Sequence, residues 1–262
     1  MIREATSMRP LRAAAAAPAT LRFHVADWAA VSAARSEKQD WIGWLRGEAT
    51  RPEGARPSSA LPASLRRRIT PVGQMAFRAA RAVGPSAHAR FIFCSRHGEF
   101  RRTKALLETL ARREEPSPAE FSLAVHNALA GILSIEWKND AGHTAIAAGA
   151  DSFGFGLVEA AACLKARPEE PILLVYSDEE LLEEYAELRE GQETGIALAL
   201  LLTPGRAGGD DVLLSFARRR WPATACPASD QALDFIRFLL SHETERTSSG
   251  SSIDWRWHRD GA

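Results

Sequence analysis

Residues 143–166 read His143-Thr144-Ala145-Ile146-Ala147-Ala148-Gly149-Ala150-Asp151-Ser152-Phe153-Gly154-Phe155-Gly156-Leu157-Val158-Glu159-Ala160-Ala161-Ala162-Cys163-Leu164-Lys165-Ala166. They predict a short apolar strand over 143–148, a sharp glycine-containing turn, and a helix over 152–166. A helix is predicted before them over 118–137. A strand that turns directly into a helix holds its turn at the helix N-terminus, where partial positive charge gathers. That layout can present a nucleophile and stabilise the negative charge that develops on its substrate. The turn itself, Gly149-Ala150-Asp151, carries no thiol. The small residues Ala160 to Ala162 suit close burial between layers.

Outward from this stretch, strands and helices alternate. Leu21 to Val25 alternates as a strand does, and Ala26 to Ala34 reads as the start of a turn or helix. Trp28, Trp41 and Trp44 read as aromatic lids over the core edge. Residues 47–63, with Pro52, Pro57 and Pro62, read as a loop. Pro71 opens a helix in the favoured first-turn position. Strands are predicted at 89–95, 171–177, 195–202 and 212–217, with helices at 103–113, 179–190 (strongly acidic) and 230–241. The run Thr247 to Ser252 is low in complexity and precedes an isolated Trp255-Arg256-Trp257. The alternation argues for one layered α/β domain with a parallel or mixed sheet.

The central stretch resembles the β-ketoacyl synthases, the condensing enzymes of fatty acid and polyketide synthesis. Ser117-Pro118, Phe121, Val125-His126-Asn127-Ala128, Gly131 and Ser134 look like the family's helix before the active-site strand. His143 to Ala148 stands where the family has the strand leading to its Thr-Ala-Cys-Ser-Ser turn. Ala150, or Gly149 one residue out, falls at the cysteine. Ile172 to Glu179 resembles the strand and Asp-Glu pair that follow, and Thr194 to Leu200 a glycine-alanine strand. The resemblance implies an α/β fold, half of a thiolase-like fold with a mixed sheet. It places the domain at 20–242, between a disordered leader at 1–19 and a flexible tail at 243–262.

What the resemblance implies for function turns on two departures. Decarboxylative condensation needs a thiolate to hold the acyl group and imidazoles to stabilise the enolate. The cysteine is missing, and the family's two histidines and lysine belong to a second half that this chain, ending at Ala262, does not match. The chain therefore looks like the non-catalytic chain-length factors of aryl-polyene-type pathways. The implied partners are a catalytic β-ketoacyl synthase, as a heterodimer, and transiently an acyl carrier protein. No catalytic residue, cofactor or metal is implied. The pseudo-active-site turn is Gly149, Ala150, Asp151, Ser152, Phe153 and Phe155, the two phenylalanines limiting product length by bulk. Interface residues are His126, Asn127, His143, Thr144 and Ile146, the strand 143–148 pairing with its counterpart across the dimer. Arg66-Arg67-Arg68 reads either as a solvated helix end or as surface for the acidic carrier protein.

A competing reading comes from another class. Ala150-Asp151-Ser152-Phe153-Gly154 has the spacing of a hydrolase nucleophile elbow with its first glycine replaced. Ser152 would then be an acyl-accepting nucleophile, with Asp178 or Asp211 as acid and His242 as base. Against it, no oxyanion glycine motif precedes. The plainer role for Asp151 or Ser152 is capping the 152–166 helix.

The bulk numbers exclude other classes. With 33 basic and 33 acidic residues among 262, the formal net charge is zero, which supports no nucleic-acid footprint. Cys94, Cys163 and Cys226 share no close spacing, so they form neither a disulfide framework nor a metal site, as expected of a cytoplasmic protein. Arg3, Arg9 and Arg12 before Ala13 to Ala17 suggest a signal sequence, but the alanine run is short and closed by Pro18. No stretch approaches the ~20 apolar residues of a membrane span.

Overall fold

In Phe91-Ile92-Phe93-Cys94 every side chain is apolar, as expected of a strand covered on both faces. The computed structural model describes residues 20–48, 63–66, 68–84, 88–189, 195–206, 211–218 and 230–260. The expected leader at 1–19 and nearly all of the 47–63 loop lie outside these. The elements in chain order are β1 (Leu21–Ser32), α1 (Lys38–Leu45), α2 (Ala63–Arg66), α3 (Pro71–Val83), β2 (Arg90–Cys94) and α4 (Phe100–Ala111). Then come α5 (Pro118–Ala124), α6 (Ala128–Glu136), β3 (His143–Ile146), α7 (Ser152–Ala166), β4 (Ile172–Asp178) and a 3-10 helix (Glu183–Leu188). β5 (Ile196–Pro204), β6 (Val212–Arg218), α8 (Gln231–Leu240), β7 (Glu245–Ser249) and β8 (Ile253–Arg259) complete the series.

The strands form one mixed sheet in the order β3-β2-β4-β5-β1-β6-β8-β7. β2 is parallel to both β3 and β4, and every other pairing is antiparallel. Alternating side chains divide the interior in two. On one face Ile92, Cys94, Leu174, Leu198 and Leu200 pack under α7, α8 and Trp41 of α1. On the other, Phe91, Phe93, Leu173, Val175, Ala197 and Ala199 pack under α3 and α6. The layered α/β architecture with a mixed sheet is thus as the sequence predicts.

Local signals hold where capping is explicit. Thr70 accepts from the Gly73 amide at 3.4 Å ahead of Pro71, Ser117 from Glu120 ahead of Pro118, and Asp230 from Leu233 at 3.0 Å.

Five expectations need correction. β1 does not turn at Ala26. It runs unbroken as a strand through Ser32, with a register shift between Val25 and Asp27, because β5 pairs with it from Phe23 to Ser32, while β6 holds only Leu21 to Phe23. Trp41 is not a lid: it is 1% exposed, and its indole N–H donates to the Ala30 carbonyl at 2.8 Å. The single helix at 118–137 is two, broken where Val125 becomes extended (ψ 145°). The acidic helix at 179–190 shrinks to the 3-10 turn, its carboxylates facing solvent and nearby cations such as Arg189 and Lys104. Within the expected tail at 243–262, the described residues 243–260 are ordered into the sheet, and the domain does not stop at 242. β7 and β8 form a hairpin inside the sheet, with Trp255 and Trp257 fully buried. Alternation explains this: the two tryptophans, two residues apart, share the face that meets α7 and α8.

Candidate functional site

The carboxyl ends of β2, β3 and β4 meet the N-termini of α7 and α8. β3 is followed by Ala147 and Ala148, and the chain turns at Gly149, whose φ of +58° suits glycine. Ala147 and Gly149 are exposed and Ala150 half-buried, while Asp151 and Ser152 are 2% and 1% exposed. The turn is closed from within: the Ser152 hydroxyl donates to the Gly149 carbonyl at 2.7 Å and accepts from the Ala148 amide at 2.9 Å.

Asp151 looks the other way. Its carboxylate accepts from the Trp255 indole N–H at 2.8 Å, from the Ser252 amide at 3.1 Å and hydroxyl at 3.2 Å, and from the Gln231 side chain at 3.4 Å. Gln231 also accepts from the Gly154 amide, at 3.0 Å, in the first turn of α7. A Cβ on Gly250 would lie 1.6 Å from Asp151 Oδ1, so only glycine lets the β7–β8 turn approach this closely. Neither Asp151 nor Ser152 caps α7 with its side chain in the way expected from sequence; both are spent on the turn and the hairpin.

The neighbouring wall is acidic. Asp178, at the end of β4, accepts from the Arg96 amide at 2.6 Å, the His97 amide at 3.0 Å, the Tyr176 hydroxyl at 3.2 Å and the Ser95 hydroxyl at 3.3 Å. Burial pushes its carboxyl above the usual carboxylate range, against the pull of those amides. Burial likewise pushes Asp230 up to about 7, helped by Asp234 and Asp178. The Cys94 thiol is driven far up by burial and then by Asp178, and an added Cβ on Gly156 would meet its sulfur at 2.7 Å. It is a packed core residue, as the sequence suggests, and no nucleophile.

The remaining expected residues divide. His126 sits at the break between α5 and α6, its Nε2 3.2 Å from the Ser95 carbonyl and its ring edge-on to Phe93 at 5.9 Å. It braces the end of β2. Asn127 is exposed. His143, Thr144 and Ile146 lie on β3, an edge strand, which among the described residues is paired on one side only, with β2. Ile146 also packs into the core under α7. Phe153 points inward among Tyr176, Phe235 and Trp257, with ring centroids 5.4–6.4 Å away. Phe155 stays half-buried against Trp255. Sequence reasoning missed Gln231, Gly250, Ser252 and Trp255. The Trp-Arg-Trp alternation was the available signal.

The hydrolase grouping does not assemble. Ser152 spends its hydroxyl on backbone, Asp178 holds the 95–97 loop, Asp211 faces His24 and Arg22 at the start of β6, and none of these bonds to His242. Among the described residues no group of three or more His, Cys, Asp or Glu is placed to hold a metal ion. None of their helices is long and apolar enough to cross a membrane.

A mixed α/β sheet whose edge strand turns into a buried small-residue helix defines a thiolase-like half-fold of the condensing-enzyme class. The chain belongs to the β-ketoacyl synthase family: the family's N-terminal domain matches residues 41–258. No curated protein sequence matches it. Among solved structures it is similar to a chain of the ketosynthase ApeO in complex with its chain length factor ApeC from Xenorhabdus doucetiae. The TM-score is 0.76 at 28% identity, over 91% of this chain and 100% of that one. It is similar in fold to the ishigamide ketosynthase/chain length factor (TM-score 0.58, 14% identity, 76% of this chain and 67% of that one). A chain of the AntDE:AntF structure, a type II polyketide acyl-carrier protein in complex with its ketosynthase bound to the hexaketide, also shares the fold (0.54, 15%, 77% and 70%).

Proposed function

We propose that this protein is a non-catalytic, chain-length-factor-type subunit that pairs with an active β-ketoacyl synthase in fatty acid or polyketide synthesis of the aryl-polyene type. The observation that carries the reading is the turn 149–152. Alanine stands at the nucleophile's place, and the two residues after it are committed to internal hydrogen bonds. Two further facts support it. The similar chain from the ketosynthase–chain length factor complex is matched over its whole length. β3, with His143, Thr144 and Ile146, leaves one edge open to a partner strand, and an exposed edge is an association site by default. The acyl carrier protein would dock on the complex transiently. Of the two phenylalanines, Phe155 is the one placed near the surface to shape a neighbouring tunnel.

The test is co-expression with a ketosynthase encoded beside it. The pair should co-elute and condense malonyl- with acyl-carrier protein, and the lone chain should form neither product nor acyl adduct. A stable acyl group on the lone chain, or a monomer indifferent to the ketosynthase, would overturn the reading.

A further inference from the structure

We infer that Asp151 inverts the electrostatics of the nucleophile turn, so that this half-site would not generate a reactive thiolate even if the missing cysteine were restored. This goes beyond the lack of a cysteine. It rests on the reading above only for the correspondence between Ala150 and the family's nucleophile.

A cysteine at such a turn is activated because the partial positive charge of the helix N-terminus favours its thiolate. Here the residue after Ala150 carries a carboxylate. The groups converging on it are all donors: the Trp255 indole, the Gln231 amide, and the Ser252 amide and hydroxyl. That set satisfies an ionised carboxylate, which is acceptor-only. At 2% exposure its charge is poorly screened by solvent. A carboxylate one residue away opposes the roughly half positive charge of a helix end, and a like charge disfavours a thiolate.

The seat is also filled. Gln231 takes the Gly154 amide, and Ser152 takes the Ala148 amide and Gly149 carbonyl. The β7–β8 turn closes over Asp151 with Gly250 against its carboxylate. The first turn of α7 thus spends its Gly154 amide on Gln231, and the carboxylate beside it is tied to the hairpin rather than to the helix end. Asp151 is thus a positioning residue for the hairpin, and its charge would oppose acyl chemistry even with a thiol at position 150.

The experiment uses the full chain carrying Ala150→Cys, a small change at a half-buried site. Iodoacetamide alkylation of the introduced thiol is followed by peptide-resolved mass spectrometry across pH. The expected midpoint lies above the ordinary thiol value of about 8.5, and adding Asp151→Asn lowers it by at least about one unit. A midpoint at or below about 8.5 with Asp151 intact, or one that Asp151→Asn leaves unchanged, overturns the inference. If that double variant fails to fold, Asp151→Ser takes its place in the same comparison with Ala150→Cys. An acyl adduct on the unmodified chain would instead sink the non-catalytic reading, and the titration would still stand as a separate result.

Discussion

The first turn of α7 touches the indole of Trp255 so closely that a Cβ on Gly154 would lie 2.3 Å from its Cε2. Helix and hairpin therefore fit only while position 154 has no side chain. The ring has nowhere to go, being fully buried and held by Asp151 at 2.8 Å. Gly154→Ala, ordinarily favourable within a helix, should here cost about 1–3 kcal/mol or more through overpacking. Urea unfolding measures it; a change within about 0.5 kcal/mol would show that the hairpin packs less tightly than described.

Asp230 makes stability depend on pH. Its carboxyl is raised from 3.8 to about 7, chiefly by burial and then by Asp234 and Asp178. The fold favours its protonated form, so that stabilisation is complete below about pH 4 and is lost as pH rises to about 7. Three units correspond to roughly 4 kcal/mol at most. Asp230→Asn keeps a helix cap and should flatten much of this slope, leaving the shares due to Asp178 and Glu99, whose carboxyls burial also raises. Denaturation midpoints at pH 4.5 and 8 for both proteins check it; parallel slopes would refute it.

The open edge of β3 can be tested without disturbing the core. The Phe91 and Ser95 amides donate to the Gly142 and Ile146 carbonyls at 3.1 and 3.2 Å, so His143 and Ala145 turn their backbone outward. Ala145→Pro removes only an outward N–H. It should leave the unfolding midpoint near that of the parent while abolishing co-elution with the ketosynthase. Ile146→Asp would be a poorer probe, since Ile146 also fills core. Retained co-elution of the folded Ala145→Pro protein would move the interface elsewhere.

Ser152 should resist a fluorophosphonate probe, because its hydroxyl is buried between Ala148 and Gly149. Ser152→Ala should instead cost about 1 kcal/mol by leaving the half-buried Ala148 amide unmatched. Labelling at Ser152 would revive the hydrolase.

The sheet's apolar runs, the Thr70-Pro71 and Ser117-Pro118 helix starts and the small-residue helix α7 were legible because local chemistry and burial agree there. β1 runs past Ala26 without alternating in polarity because both of its faces are covered there, Ala30 in one core and Val31 in the other, and its Ala-Asp-Trp-Ala run looks helical in isolation. The helix at 118–137 was over-extended because nothing local marks the break: His126 is held by the Ser95 carbonyl, a contact between distant segments. The site was half legible. The absence of a thiol could be read from Gly149-Ala150-Asp151, but what Asp151 does depends on Ser252 and Trp255, a hundred residues later. A polar Thr-Ser-Ser-Gly-Ser-Ser run gives no hint that it is the tip of a hairpin whose tryptophan face is buried.

The place of β1 in the sheet sets an order of assembly. It is made before every other described strand, yet it pairs only with β5 and β6, which follow residue 195. β2, β3 and β4 lie close in sequence and can zip together early, with α6 and α7 as their crossovers. β1 must wait, a twelve-residue strand with both edges bare, until the chain has come almost full circle. Such long-range pairing makes folding slow, and for that interval β1 is the segment most exposed to mispairing with other chains. A chaperone that holds this nascent protein would find its first client surface there.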